Sequence, residues 1–270
     1  MADDYRGLSE RAFYLRAIAR YGAWRVGRRV LRRPALVRTP EAVIDQYEQI
    51  GRDFLARFDA SDWSIGEYAL RERDEDVRGF HVAHIEDGVI TDDAESVSRR
   101  TLSALRDAVS RHSPRSVLEV GSGTGRNVMW LLANGVAERG RGLELTTAGV
   151  EVANRAAERY RLDASFQQFD MYGDWSGVDA ADVVFSMYAL EQIPHARPVV
   201  AEMVRLARRA VVMIEPFPDY WRGLAQVACR LRNPSTDRLN AGALEGFDTD
   251  SVLLPFGLAL NRGSLVTITT

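Results

Sequence analysis

The stretch Val117-Leu118-Glu119-Val120-Gly121-Ser122-Gly123-Thr124-Gly125-Arg126-Asn127 decides how this chain is read. A short apolar run ends in an acid, three glycines alternate with small residues, and a helical pattern begins. Glycine lets the backbone turn with positive φ and lets a ligand approach with no Cβ in the way. A strand that feeds a helix N-terminus through such a loop aims unused amide N–H groups at whatever sits there. The local expectation is a nucleotide-like pocket at the carboxyl end of the first strand of an α/β sheet.

The spacing narrows the reading. The dinucleotide fingerprint G-x-G-x-x-G needs glycine where this chain has Arg126. The pattern here is acid-x-Gly-x-Gly-x-Gly, with Glu119 two residues before the first glycine. In this the sequence resembles the class I S-adenosylmethionine (SAM) dependent methyltransferases, whose first motif has that form. The resemblance implies that the loop passes beneath the methionine and ribose parts of SAM and that Glu119 helps orient the amino-acid end. Gly121, Ser122, Gly123, Gly125 and Asn127 then join Glu119 as cofactor-binding candidates.

With 270 residues the chain can bury a full core in one domain with additions, or in two small ones. Its 46% hydrophobic and 27% charged residues are ordinary for a globular protein. No apolar run approaches the roughly 20 residues of a membrane span, and the first residues do not read as a secretory signal. The single cysteine, Cys229, excludes an internal disulfide and a thiolate metal site, so a reducing, cytoplasmic setting is expected. A net charge of −3 argues against wholesale nucleic-acid binding. Every basic side chain apart from histidine is arginine, which removes lysine from the possible bases and nucleophiles.

Ahead of the glycine loop, residues 9–33 read as a helix with many arginines and, on one stripe, Phe13, Ala17, Tyr21, Trp24 and Leu31. Basic amphipathic helices lie on anionic membranes or bind partners. Packing of the stripe on the main domain is preferred here, because the arginines flank the stripe and do not oppose it. Thr39-Pro40 predicts a second helix, with Val43, Tyr47, Ile50, Phe54 and Phe58 toward the core. Residues 71–76 are a charged run read as a solvated loop. Residues 80–90 read as a hairpin turning at Asp87-Gly88, with His81 and His84 on opposite faces and so poorly placed to share a metal. A further helix is expected over about 93–112.

From Ser116 onward the pattern is βαβα, the mark of a mostly parallel sheet covered on both faces. Leu143-Glu144-Leu145 ends the second strand about twenty residues beyond the loop, where nucleotide folds place an acid on the ribose hydroxyls. Two carboxylate oxygens suit a vicinal diol. The third strand, 164–169, ends in Asp170-Met171, which the resemblance assigns to the adenine amino group and ring. The fourth, 182–187, leads into Ser186-Met187-Tyr188-Ala189-Leu190-Glu191-Gln192-Ile193-Pro194-His195, and Ser186 and Tyr188 are further cofactor candidates. The fifth ends in Glu215-Pro216, and 251–255 with 265–269 are the last two strands. The resemblance covers about 115–270. It implies a Rossmann-like, mostly parallel seven-stranded α/β sheet with a terminal antiparallel hairpin. Residues 1–114 then form an N-terminal helical cap with a short hairpin, and 217–246 an insertion.

Methyl transfer needs an acceptor atom held in line, and an alcohol acceptor must also lose a proton to a base. Glu191 and His195 are the titratable groups after the fourth strand, four residues apart and on one face if that segment is helical. Pro194 interrupts such a helix, and members of the family often have histidine where this chain has Gln192. Glu215 is a third candidate. Some sugar and catechol methyltransferases of similar fold use magnesium, but no spacing here defines such a site. The expectation is a SAM-dependent enzyme that releases S-adenosylhomocysteine and methylates a hydroxyl on a small molecule, a sugar or secondary metabolite. An NAD-dependent oxidoreductase and a non-catalytic SAM-fold binding protein are the alternatives. Phe217, Tyr220 and Trp221, directly after Glu215-Pro216, are expected either to line an acceptor lid or to be core residues of a helix.

Overall fold

A computed structural model describes residues 7–31, 40–71, 82–91, 94–220, 222–232, 239, 241–258 and 262–270. Helix α1 (Glu10–Val30) starts at Ser9, whose hydroxyl accepts from the Ala12 amide at 3.2 Å. Helices α2 (Pro40–Asp59) and α3 (Ile65–Arg71) follow. The strands β1 (Val82–Glu86) and β2 (Val89–Thr91) turn at Asp87 and Gly88, both with positive φ, as a two-residue hairpin of right-handed twist requires. Helix α4 (Ala94–Ser110) leads to the main sheet.

That sheet alternates as the pattern after Ser116 predicts. Its first part is β3 (Ser116–Val120), α5 (Arg126–Ala133), β4 (Arg139–Glu144), α6 (Thr147–Tyr160), β5 (Ala164–Gln168) and β6 (Ala181–Met187). Then come α7 (Ala196–Leu206), β7 (Ala207–Glu215), α8 (Gly223–Arg232), β8 (Thr249–Leu253), β9 (Phe256–Leu258) and β10 (Ser264–Thr269). The seven strands run in the order β5-β4-β3-β6-β7-β10-β8. The first five are parallel, and β10 is antiparallel to both of its neighbours. Strands β3 and β6 are buried along their whole length, which is why they read as near-continuous apolar runs. One core lies on the α4, α5 and α6 face and a second on the α7 face. The chain reverses its strand order beside β3, so the glycine loop after β3 opens at the switch point where such sheets take ligands.

The last two strands of the sheet do not form a simple hairpin. Between them the chain crosses to β9, which pairs antiparallel with β1 and completes a small sheet of order β2-β1-β9. The N-terminal and C-terminal segments thus share a sheet. They also share a helix pair, since Phe13, Tyr14 and Ala17 of α1 pack on Ala225, Ala228 and Cys229 of α8. Arg25 donates to the carbonyls of Arg230 and Leu231 at 2.6 and 2.8 Å and so caps the end of α8. The expected stripe of α1 is therefore half correct. Helix α8 ends beside Arg25, and Trp24 and Leu31 stand exposed. His81 and Trp221 lie outside the described residues.

Helix α2 lies along α6. Phe54 and Phe58 are fully buried, whereas Tyr47 is exposed. Glu48, the next residue, accepts from the Ala148 amide at the N-terminus of α6 at 3.2 Å. Arg159 of α6 lies 3.6 Å over the Phe58 ring and donates to the Phe58 carbonyl at 2.8 Å. Helix α3 carries no strong sequence signal, yet it places Tyr68, fully buried, against Phe54, Phe58 and Tyr160. The Tyr68 hydroxyl donates to the Thr124 carbonyl inside the glycine loop at 2.5 Å. Arg126, the residue that breaks the dinucleotide pattern, is buried and reaches back to the Ala69 carbonyl at 3.4 Å. Among the described residues, no helix is long and apolar enough to cross a membrane.

Tyr68→Phe should keep the ring packing and lose one buried hydrogen bond. The expected cost in urea unfolding is ~0.5–1.5 kcal/mol, with faster amide exchange confined to the glycine loop. A variant as stable as the parent, with unchanged exchange there, would show that α3 does not hold the loop.

Candidate active site

The glycine loop is built by backbone conformation. Gly121, Gly123 and Gly125 take φ values of 76°, 53° and 77°, a region that side chains strongly disfavour. A Cβ on Gly121 would stand 2.3 Å from the Ala189 Cβ and 2.9 Å from the Met171 Cε. The loops after β3, β5 and β6 therefore meet at one point. Gly125 serves as N-cap of α5 and supplies no side-chain cap.

Around that point three acids stand at three strand ends, each held by protein donors. Glu119 on β3 is fully buried and accepts from Asn127 of α5 at 2.6 Å, so the two cofactor candidates bind each other. Glu144 on β4 accepts from the Gly123 amide at 2.8 Å and from the amide and hydroxyl of Thr146 at 2.9 and 2.6 Å. It clamps the glycine loop to the start of α6. Asp170 after β5 is exposed and accepts from the Tyr172 amide at 2.9 Å. Ser122 Oγ and Asn127 Oδ1 are buried with no hydrogen-bond partner among the described residues. Unsatisfied buried acceptors and donors in a native loop call for a partner that the protein does not itself provide. A polar ligand threaded past the three glycines fits that demand.

On β6 and β7 the structure revises the assignments. Ser186 is engaged by its neighbour on β7. Its hydroxyl is buried and donates to Glu215 Oε1 at 2.6 Å. The same Glu215 oxygen accepts from the Ala189 and Leu190 amides at 2.9 and 3.1 Å. Glu215 is thus fully enclosed behind the turn after β6, where no acceptor can reach it, and it serves as the buttress of that turn. Among the described residues its Oε2 has no hydrogen-bond partner. Burial is the main reason its carboxyl is pushed up to about 7, with the hydrogen bond from Ser186 opposing. Tyr188 takes φ of 56° and sends its hydroxyl toward β10, where it accepts from the Gly263 amide at 3.0 Å.

Glu191 lies in a one-turn 3₁₀ helix, Leu190–Gln192, and is partly buried. His195 is the exposed N-cap of α7. The two do not share a helix, because Ile193 is extended and Pro194 separates the turns. The expected pairing on one helical face is not formed. Tyr172, which no sequence signal marked, bridges the loops after β5 and β6 by accepting from the His195 amide at 3.0 Å. Thr146 was also missed, although a threonine just ahead of a helical run is a usual N-cap signal. Phe217 is fully buried in the α7-side core with the Tyr220 ring 5.6 Å away, so Phe217 is a core residue. Among the described residues, no group of three or more His, Cys, Asp or Glu is placed to hold a metal ion.

Residues 117–210 match the family model of a methyltransferase domain. No curated protein matches the sequence. Among solved structures the chain is similar to magnesium protoporphyrin IX methyltransferase from Synechocystis PCC 6803 with bound SAH. There the identity is 12%, the TM-score 0.55, and 86% of this chain and 99% of that one are covered. It is also similar to the N-methyltransferase NodS from Bradyrhizobium japonicum in complex with S-adenosyl-L-homocysteine. That match has 14% identity and a TM-score of 0.50 over 64% of this chain and 87% of that one. YcgJ from Bacillus subtilis matches with 14% identity and a TM-score of 0.50, over 64% and 98%. Identities this low establish a shared fold.

The raised Glu215 carboxyl makes a signed prediction. Between its ordinary value of 4.5 and about 7, the folded state holds a proton that the unfolded state releases. The stability from this group is therefore present below that window and lost as pH rises through it, by up to roughly 1.4 kcal/mol per pH unit. Glu215→Gln should flatten the dependence in urea melts taken between pH 4.5 and 7.5. An unaltered slope in the variant would assign the dependence to other groups.

Proposed function

We propose that this chain, whose residues 117–210 match a methyltransferase domain, is a class I S-adenosylmethionine-dependent enzyme that moves a methyl group from SAM to a hydroxyl of a small molecule, such as a sugar or secondary metabolite. The observation that carries this reading is the meeting of three strand-end loops at Gly121, beside a turn that bears Glu191. Bound SAM would supply a methyl group on a sulfonium, already activated, with a neutral thioether as leaving group.

The chain's own residues have three tasks. The first is to hold the cofactor. Gly121, Ser122, Gly123 and Gly125 offer backbone and a buried hydroxyl, Glu119 with Asn127 a fixed polar pair, and Glu144 and Asp170 carboxylates for the ribose and adenine ends, with Met171 at the ring. The second task is to align the acceptor, where positioning alone is worth up to ~7–11 kcal/mol. The third is to take the hydroxyl proton. Glu191 is the proposed base, since Glu215 pins both amides that precede it and so fixes where the turn presents its carboxylate. His195, exposed one turn further on, is the second candidate. Glu215 becomes a positioning residue. Methylation of an amine leans less on such a base, which makes nitrogen acceptors the rival to measure.

Two measurements bear on this. Calorimetry should show binding of SAM and of its demethylated product but not of NADH. Asp170→Ala, at an exposed position, should weaken SAM about tenfold, the worth of one hydrogen bond to a charged group. NADH binding without SAM binding would overturn the assignment. Labelled SAM offered to panels of hydroxylated and amine acceptors should then give product with the hydroxylated ones. On the acceptor so found, Glu191→Gln should lower kcat by ~10²–10⁴-fold with SAM affinity kept. Turnover of amines alone would overturn the oxygen assignment, and failure to turn over SAM on any acceptor would favour a binding role.

A further inference from the structure

We propose that the outward face of α1 docks the protein on an anionic lipid surface. The sequence favours packing for this helix, and the structure shows that packing uses one face only. Phe13, Tyr14, Ala17 and the partly buried Ile18 and Tyr21 face α8 and β2. On the opposite side a surface helix should be polar. Here Ala12, Leu15, Ala19, Ala23, Val26 and Val30 fall within an arc of roughly 80° at 3.6 residues per turn. All six are exposed, with Leu15 at 49%, Val26 at 64% and Val30 at 73%. No charged or hydrogen-bonding side chain interrupts the arc.

Charge selects the occupant. Arg16 and Arg20 border the stripe on one side, and Arg11 and Arg29 on the other, all exposed. The single acid of the helix, Glu10, is drawn aside to Arg262 at 3.7 Å. The rest of the chain is acidic enough to leave a net charge of −3, so the positive charge here is local. A second copy seated on this face would set rows of arginine against rows of arginine. A nucleic acid would meet apolar side chains where its phosphates need donors. An anionic bilayer matches both parts. Apolar side chains enter the boundary of the acyl chains while the flanking guanidinium groups stay among the headgroups.

The test is flotation of the full chain with vesicles of phosphatidylcholine alone or mixed with phosphatidylglycerol. Binding is expected only to the mixed vesicles and should weaken with salt. The double variant Leu15→Glu/Val26→Glu should lose at least about tenfold in partitioning, since it removes apolar insertion and adds like charge to the surface. Arg11→Gln and Arg29→Gln should each cost about fivefold. All four positions are exposed, so thermal unfolding and SAM binding should be unchanged. No flotation with mixed vesicles at low salt overturns the proposal, and so does equal binding to both vesicle types. A dimer in light scattering that the double variant abolishes, with no flotation, would assign the face to a second copy instead.

Discussion

The arrangement rests on a missing side chain. At Gly121 the backbone has positive φ, and the space a Cβ would fill is taken by Ala189 and Met171. Three loops from three adjacent regions of the sheet can therefore close on one another. No other residue type permits both the dihedral and the approach. The strand order places β3 in the middle of the sheet, with β4 and β5 on one side and β6 on the other. Convergence at its end is thus a result of topology as much as of the glycine. The fold sets the position, and the glycine makes it habitable for a ligand.

The acids at the strand ends show how such a site is kept in shape when its polar groups are costly to bury. Glu119, Glu144 and Glu215 each accept from the protein itself, through Asn127, through Gly123 with Thr146, and through Ser186 with two amides. A buried carboxylate without donors would neutralise or destabilise the fold. Here the first two hold the glycine loop and the third holds the turn after β6. The charge is used twice, as scaffold and, for the first two, as potential contact. Glu215 went entirely to scaffold, because its position behind the turn gives one oxygen three donors and the other none among the described residues.

Much of this was legible in the sequence where the signal is local. The glycine spacing, the apolar runs of β3 and β6, and acids at fixed offsets from those runs come from backbone rules that act within a few residues. They gave the parallel sheet and the glycine loop with acids at the strand ends around it. The acceptor side was not legible. Whether Ser186 faces the loop or Glu215 depends on strand register, and whether Glu191 and His195 align depends on how the chain passes Pro194. Tyr68 is one aromatic residue among many until α3 sets it against Thr124. Strand β9 has only three residues, and its partner lies more than 170 positions earlier in the chain, so no window could reveal it.

That long-range pairing bears on how the N-terminal segment serves the site. Helix α1 is joined to α8 by Arg25, to β2 through Ile90, and to the approach of β10 through Glu10 and Arg262. Strand β9 lies between β8 and β10 in the chain yet pairs with β1, and Tyr188 at the end of β6 accepts from Gly263 just before β10. A shift of α1 would thus be felt through Arg262 and Gly263 at the turn that follows β6. Helices α2 and α3 are joined instead to α6 and the glycine loop, through Glu48, Arg159, Tyr68 and Arg126. The N-terminal segment therefore reaches the sheet's carboxyl edge by two separate routes, α2 and α3 to the glycine loop and α1 to the turn after β6. Contacts of this kind bias a site when the element that carries them has two arrangements. Were α1 to settle on a lipid surface as proposed, Arg262 and Gly263 would carry its effect to the turn after β6.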